Sequence, residues 1–107
     1  MRFILIIIFL IFNSSVSPSY ELQEYKDILP KIKLTHPEWY DNFVSDSRSM
    51  LQNIKFYVTI DYQYGVIYIN EDFWNELTYK NKKNILRILL TIYYEETNKL
   101  DANWRIE

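Results

Sequence analysis

The chain has no cysteine, one glycine and one histidine among its 107 residues. Each shortage removes a kind of chemistry. Without cysteine there is no disulfide, no thiol nucleophile and no cysteine to carry a lipid. A lone histidine cannot complete the soft or imidazole set of a conventional structural zinc site, so no metal site is expected. A lone glycine excludes glycine-rich phosphate loops of the P-loop or Rossmann kind, and no cofactor is expected. His36 stands at a helix start with Glu38 and Asp41 nearby in sequence. That position suits an exposed residue beside a cap better than a general base.

Excess positive charge is missing too. The formal net charge is −2 at pH 7. A mildly acidic chain is a poor match to nucleic acid, where phosphate neutralisation dominates binding. It is an equally poor match to anionic lipid.

Long apolar runs are confined to one place. Arg2 precedes an unbroken apolar run from Phe3 to Phe12. That is the length of a signal-peptide core and well short of the roughly twenty residues that span a bilayer. Ser17 and Ser19 are small residues at the −3 and −1 positions of a cut after Ser19. Residues 1–19 are therefore expected to be a signal peptide, and 20–107 a single globular domain exported to the periplasm or the extracellular space. No stable membrane anchor is expected after cleavage; an uncleaved N-terminal anchor is the alternative. The cut removes one arginine and no acid, which leaves a charge of −3.

What the chain has in quantity is aromatic residues, 18% of the total. With no disulfide, a domain of this size must hold together by core packing, and aromatic side chains bury large areas per residue. Richness in Ile, Asn, Lys and Tyr with a single Ala also matches AT-rich codon usage, so part of the aromatic content reflects drift.

Leu22, Tyr25, Ile28, Leu29 and Ile32 recur at helical spacing, and Pro30 predicts a helix end at Leu29. "KIKL" then reads as a connector or short strand. Thr35 and Glu38 stand in capping-box register with Pro37 in the first turn. Trp39, Tyr40, Phe43, Val44, Ser47, Met50 and Leu51 form an apolar stripe, which Asn53 is expected to close in left-handed conformation.

"IKFYVTIDY" and "VIYI" read as strands joined by a turn at Tyr62–Gly65. Alternation predicts a core face of Phe56, Val58, Ile60, Ile67 and Ile69, and a wetter face with Tyr57, Thr59 and Tyr68. Asn70 followed by Glu71 and Asp72 predicts a capped short helix through Leu77, with Phe73 and Trp74 turned inward. Thr78 caps a long helix to Asn98, apolar over more than half its circumference, which needs cover on two sides. "WRIE" reads as a last strand. The expected fold is α+β, order α-α-β-β-α-β, with a three-stranded sheet packed on helices.

Functional candidates are few. Paired carboxylates could come from Asp61, Glu71, Asp72, Glu95, Glu96 and Asp101. Of these, Glu95 and Glu96 are unusual, because acids in a last helical turn oppose the helix dipole. Lys80, Lys83 and Arg87 make a basic helical stripe that suits solvent or an acidic partner. Tyr57, Tyr62, Tyr64 and Tyr68, with Trp74, are the binding candidates by residue type. Cross-strand aromatic pairing is their structural alternative.

No catalytic residue is assigned. The leading expectation is a non-catalytic exported module that contacts another protein through the aromatic sheet face or a sheet edge. An inhibitor or immunity-type protein comes second, and a small carboxylate hydrolase third. An open sheet edge is also a template for self-association.

Overall fold

The computed structural model describes residues 18–107. The Phe3–Phe12 run lies outside the described residues, and the expected cut after Ser19 falls in the first turn of the first described helix. Four helices and three strands follow one another: α1 (Pro18–Thr35), α2 (Pro37–Ile54), β1 (Val58–Asp61), β2 (Val66–Ile69), α3 (Glu71–Asn75), α4 (Tyr79–Thr97) and β3 (Asn103–Ile106). This is the expected α+β order, with short α3 leading into long α4.

Helix α1 does not stop at Leu29; it runs through Pro30 to Thr35. Proline inside a helix costs about 3 kcal/mol through a lost hydrogen bond and a steric clash. Tertiary contacts offset that cost. Leu29 is fully buried and Ile32 packs against the core. One turn later the Lys33 ammonium lies 5.5 Å and 5.3 Å from the ring centres of Tyr40 and Tyr94. "KIKL" is therefore helix, neither connector nor strand.

The corner between α1 and α2 corrects the capping-box reading. The Thr35 hydroxyl donates back to the Lys31 carbonyl at 2.8 Å, so it closes α1 and does not cap α2. His36 occupies the cap position of α2 without a side-chain cap bond, and Pro37 fills the first turn. The only proton of the Thr35 hydroxyl goes to Lys31, so the 2.8 Å contact with His36 Nδ1 makes that ring nitrogen the donor. At the far end, Asn53 stays inside α2, and Lys55 ends the helix in ordinary right-handed geometry. Left-handed closure occurs instead at Asn98, the last cap of α4, with φ 60°.

Strand β2 is central: β1 pairs with it antiparallel and β3 parallel. Register pairs Val58 with Ile69 and Ile60 with Ile67, then Ile67 with Trp104 and Ile69 with Ile106. One face thus carries Val58, Ile60, Ile67, Ile69, Trp104 and Ile106. Val58, Ile67 and Ile69 are buried and join Leu22, Tyr25 and Leu29 of α1, Tyr40 and Val44 of α2, and the apolar side of α4 in one core. Helices cover α4 on one side and the sheet on the other, as its broad apolar face requires. Phe56 departs from the predicted core face. Pairing begins at Val58, the preceding residues turn, and the Phe56 ring is 85% exposed.

The hairpin and both caps match the sequence reading. Gly65 adopts φ 69°, the Asn70 side chain accepts from the Phe73 N–H, and the Thr78 side chain accepts from Asn81.

Candidate functional site

The other face of the sheet carries Thr59 and Asp61 from β1, Val66 and Tyr68 from β2, and Asn103 and Arg105 from β3. None of these residues belongs to the core. At one end of this face the chain makes three junctions side by side. The Asn70 N–H donates to the Tyr57 carbonyl, the Glu107 N–H to the Ile69 carbonyl, and the Glu71 N–H to the Glu107 carbonyl. Between them lies an open groove of about 310 Å³ lined by Phe56, Tyr57, Thr59, Tyr68, Asn70 and Glu107, with Val58 and Ile69 completing it.

The four candidate tyrosines separate into two pairs. Tyr57 and Tyr68 both line the groove. Tyr57 is 46% exposed and stacks on Phe73 of α3, 4.5 Å between centres and 3° from parallel. One side of its ring is thereby fixed by the fold. Tyr68 is half-buried, opposite Thr59 on one side and Arg105 on the other.

Tyr62 and Tyr64 sit at the turn, beyond the far end of β2. Tyr62 stacks parallel to Tyr93 at 6.4 Å. Burial holds its pKa above the ordinary tyrosine range, with the Glu96 carboxylate acting in the same direction. Tyr64 is 74% exposed, and its N–H is held by the Asp61 carboxylate at 3.0 Å. Tyr62 thus has a packing duty, while the Tyr64 ring projects from the hairpin tip.

Polar groups in the groove are largely unspent. The Asn70 oxygen is used in capping α3, which leaves its NH₂ with two donors to offer. Thr59, Tyr57 and Tyr68 keep their hydroxyls, and Glu107 its carboxylate, outside the hydrogen bonds and ion pairs of the described residues. The groove thus sets ring faces beside unpaired polar atoms.

The unusual acids of α4 have structural partners. Glu95 accepts the Tyr40 hydroxyl at 2.9 Å, and Glu96 pairs with Arg48 at 2.6 Å. Burial, then the Glu95 hydrogen bond, pushes the Tyr40 pKa far above the ordinary range. The Glu96 hydrogen bond raises that of Arg48. Both contacts fasten the end of α4 to α2, which accounts for acids at a helix C-terminus.

Two members of the basic stripe, Lys83 and Arg87, and Lys82 at its edge lie over rings. Lys82 lies over Trp74 at 5.3 Å, Lys83 over Tyr79 at 5.9 Å and Arg87 over Tyr25 at 5.6 Å. Trp74 itself packs against the core. Among the described residues no group of three or more His, Cys, Asp or Glu side chains is placed to hold a metal ion. Among them also, no helix is long and apolar enough to cross a membrane.

Sequence reasoning missed Phe56, Asn70 and Glu107 as groove residues. Asn70 carried a visible capping signal, which hid its second use. Glu107 reaches the groove only through the parallel β2–β3 pairing, and local pattern gives no sign of that. Comparison with protein-family models, curated proteins and solved structures finds no match to this chain.

Proposed function

We propose that this is a non-catalytic exported protein that binds a segment of another protein in the groove at the end of its uncovered sheet face. The observation that supports the reading is the pairing of Tyr57 and Tyr68 in one groove with unspent polar groups on Thr59, Asn70 and Glu107. Interfaces favour tyrosine because it offers large contact area, little flexibility and one polar handle. Tyr57 is also held in place by Phe73, so little ordering is left to be done on binding. Export rests on the signal-peptide pattern of residues 1–19.

The test is affinity capture from the compartment into which the protein is exported, with the full chain as bait. One stoichiometric partner is expected with the unaltered chain and with Tyr64→Ala, and its loss with Tyr57→Ala combined with Tyr68→Ala. Retention by the double variant would overturn the groove as the site. Retrieval of no partner in repeated captures would overturn the function.

A further inference from the structure

Resting on the groove as a protein-binding site, we propose that it receives a single cationic side chain, lysine or arginine, from an extended partner segment. Charge and ring placement both point this way. The groove lining has one carboxylate, Glu107, and no basic residue. Glu71 is joined to Glu107 by its backbone N–H, and Asp72 follows it, so two more exposed acids adjoin the same end. The walls are the rings of Phe56, Tyr57 and Tyr68, whose faces attract a cation within about 6 Å. The Thr59 and tyrosine hydroxyls are acceptors as well as donors, and they suit the several N–H groups of guanidinium or ammonium. An anionic side chain would meet Glu107 inside the groove, where the lining itself carries no base.

Two cations border the groove and limit what it takes. Lys55 lies 5.6 Å from the centre of the Phe56 ring, and Arg105 stands beside Tyr68 across the β2–β3 pair. A run of several positive residues would meet these two and gain less than one cation between neutral neighbours. Lys55 also shows that the Phe56 ring already serves as a cation platform on this protein. The groove offers the same chemistry with a carboxylate beside it.

The probe is a set of blocked pentapeptides, Thr-Val-X-Val-Thr, with X as Arg, Gln or Glu, titrated into the full chain labelled for amide NMR. The Arg peptide is expected to shift the amides of Thr59, Tyr68, Asn70 and Glu107, with affinity about tenfold above the Gln peptide. Glu107→Gln should weaken the Arg peptide about threefold and so narrow its advantage over the Gln peptide. Tyr68→Leu, which keeps an apolar strand residue, should weaken it about threefold as well. Equal shifts of the same amides by the Gln peptide would overturn the cationic specificity and leave the groove as a docking site. Tighter binding of the Glu peptide would do the same. If no peptide moves these amides at millimolar concentration, both the specificity and the groove reading fall.

Discussion

Tyr93 closes over Gly65: a Cβ at residue 65 would lie 2.9 Å from the Tyr93 hydroxyl oxygen. The only glycine of the chain is thus fixed twice, by φ 69° and by the helix side chain against it. Its N–H also donates to the Asp61 carbonyl, and its carbonyl accepts from the Asn103 N–H. One residue therefore joins the hairpin, the last strand and α4.

Gly65→Ala is expected to destabilise the fold by roughly 2–3 kcal/mol, about 1–2 of it from left-handed backbone strain and the remainder from the clash. Tyr93→Phe in the same chain removes the offending oxygen. The double variant should recover the steric part, so the two changes will be less than additive in urea unfolding. Additive losses would show that the hydroxyl approach is of no energetic importance.

Tyr40→Phe and Arg48→Ala make an instructive comparison. Arg48 and Glu96 form the shorter contact, but both side chains are nearly half exposed. Such a pair contributes about 0–1 kcal/mol and weakens with salt. The Tyr40 hydroxyl donates to a carboxylate from a buried ring, a bond of about 1.5–3 kcal/mol. Tyr40→Phe should therefore cost more than Arg48→Ala, and its cost should change less between low and high salt.

Alkaline pH tests the core around α1. Burial pushes the Tyr25 phenol up to about 12, against the opposing pull of the Thr91 hydroxyl and then of the Arg87 guanidinium. An unfolded tyrosine ionises near 10.0. Between these values the folded chain holds a proton that the unfolded chain has released, so stability falls as pH rises. The contribution is complete below pH 10 and lost by about pH 12, roughly 2–3 kcal/mol in all. Urea unfolding across that range should show the slope, and Tyr25→Phe should reduce it.

Ser47 offers a stabilising change. Its side chain is 1% exposed, and its hydroxyl has no hydrogen-bond partner. Leaving a buried hydroxyl unsatisfied costs about 1–3 kcal/mol, and alanine is the better helix former. Ser47→Ala should raise the midpoint of thermal unfolding. A drop would mean that the hydroxyl is satisfied in solution, for example by water.

Legibility in the sequence followed the range of the interactions. Gly65, Asn70 and Thr78 act within a few residues of themselves, and their roles could be read directly. Pro30 and Thr35 misled because their local preferences were overridden by Leu29, Ile32 and Lys33 packing at a distance. The tyrosines could be named, but their division into Tyr57 with Tyr68 and Tyr62 with Tyr64 depends on where the hairpin ends point. Glu95 and Glu96 looked functional for want of their partners, Tyr40 and Arg48, which come from a helix far upstream.

The strand order also bears on kinetics. The β1–β2 hairpin can close on its own, whereas Ile67 meets Trp104 only after α3 and α4 have been laid down between them. Contacts across long stretches of chain form slowly, because loop entropy is spent before they reward it. Glu107 is therefore among the last residues to find its place, and the groove it lines is complete only when folding finishes. In quenched-flow refolding, amide protection at Thr59 should precede protection at Glu107, which makes the finished groove a late sign that the whole domain has assembled.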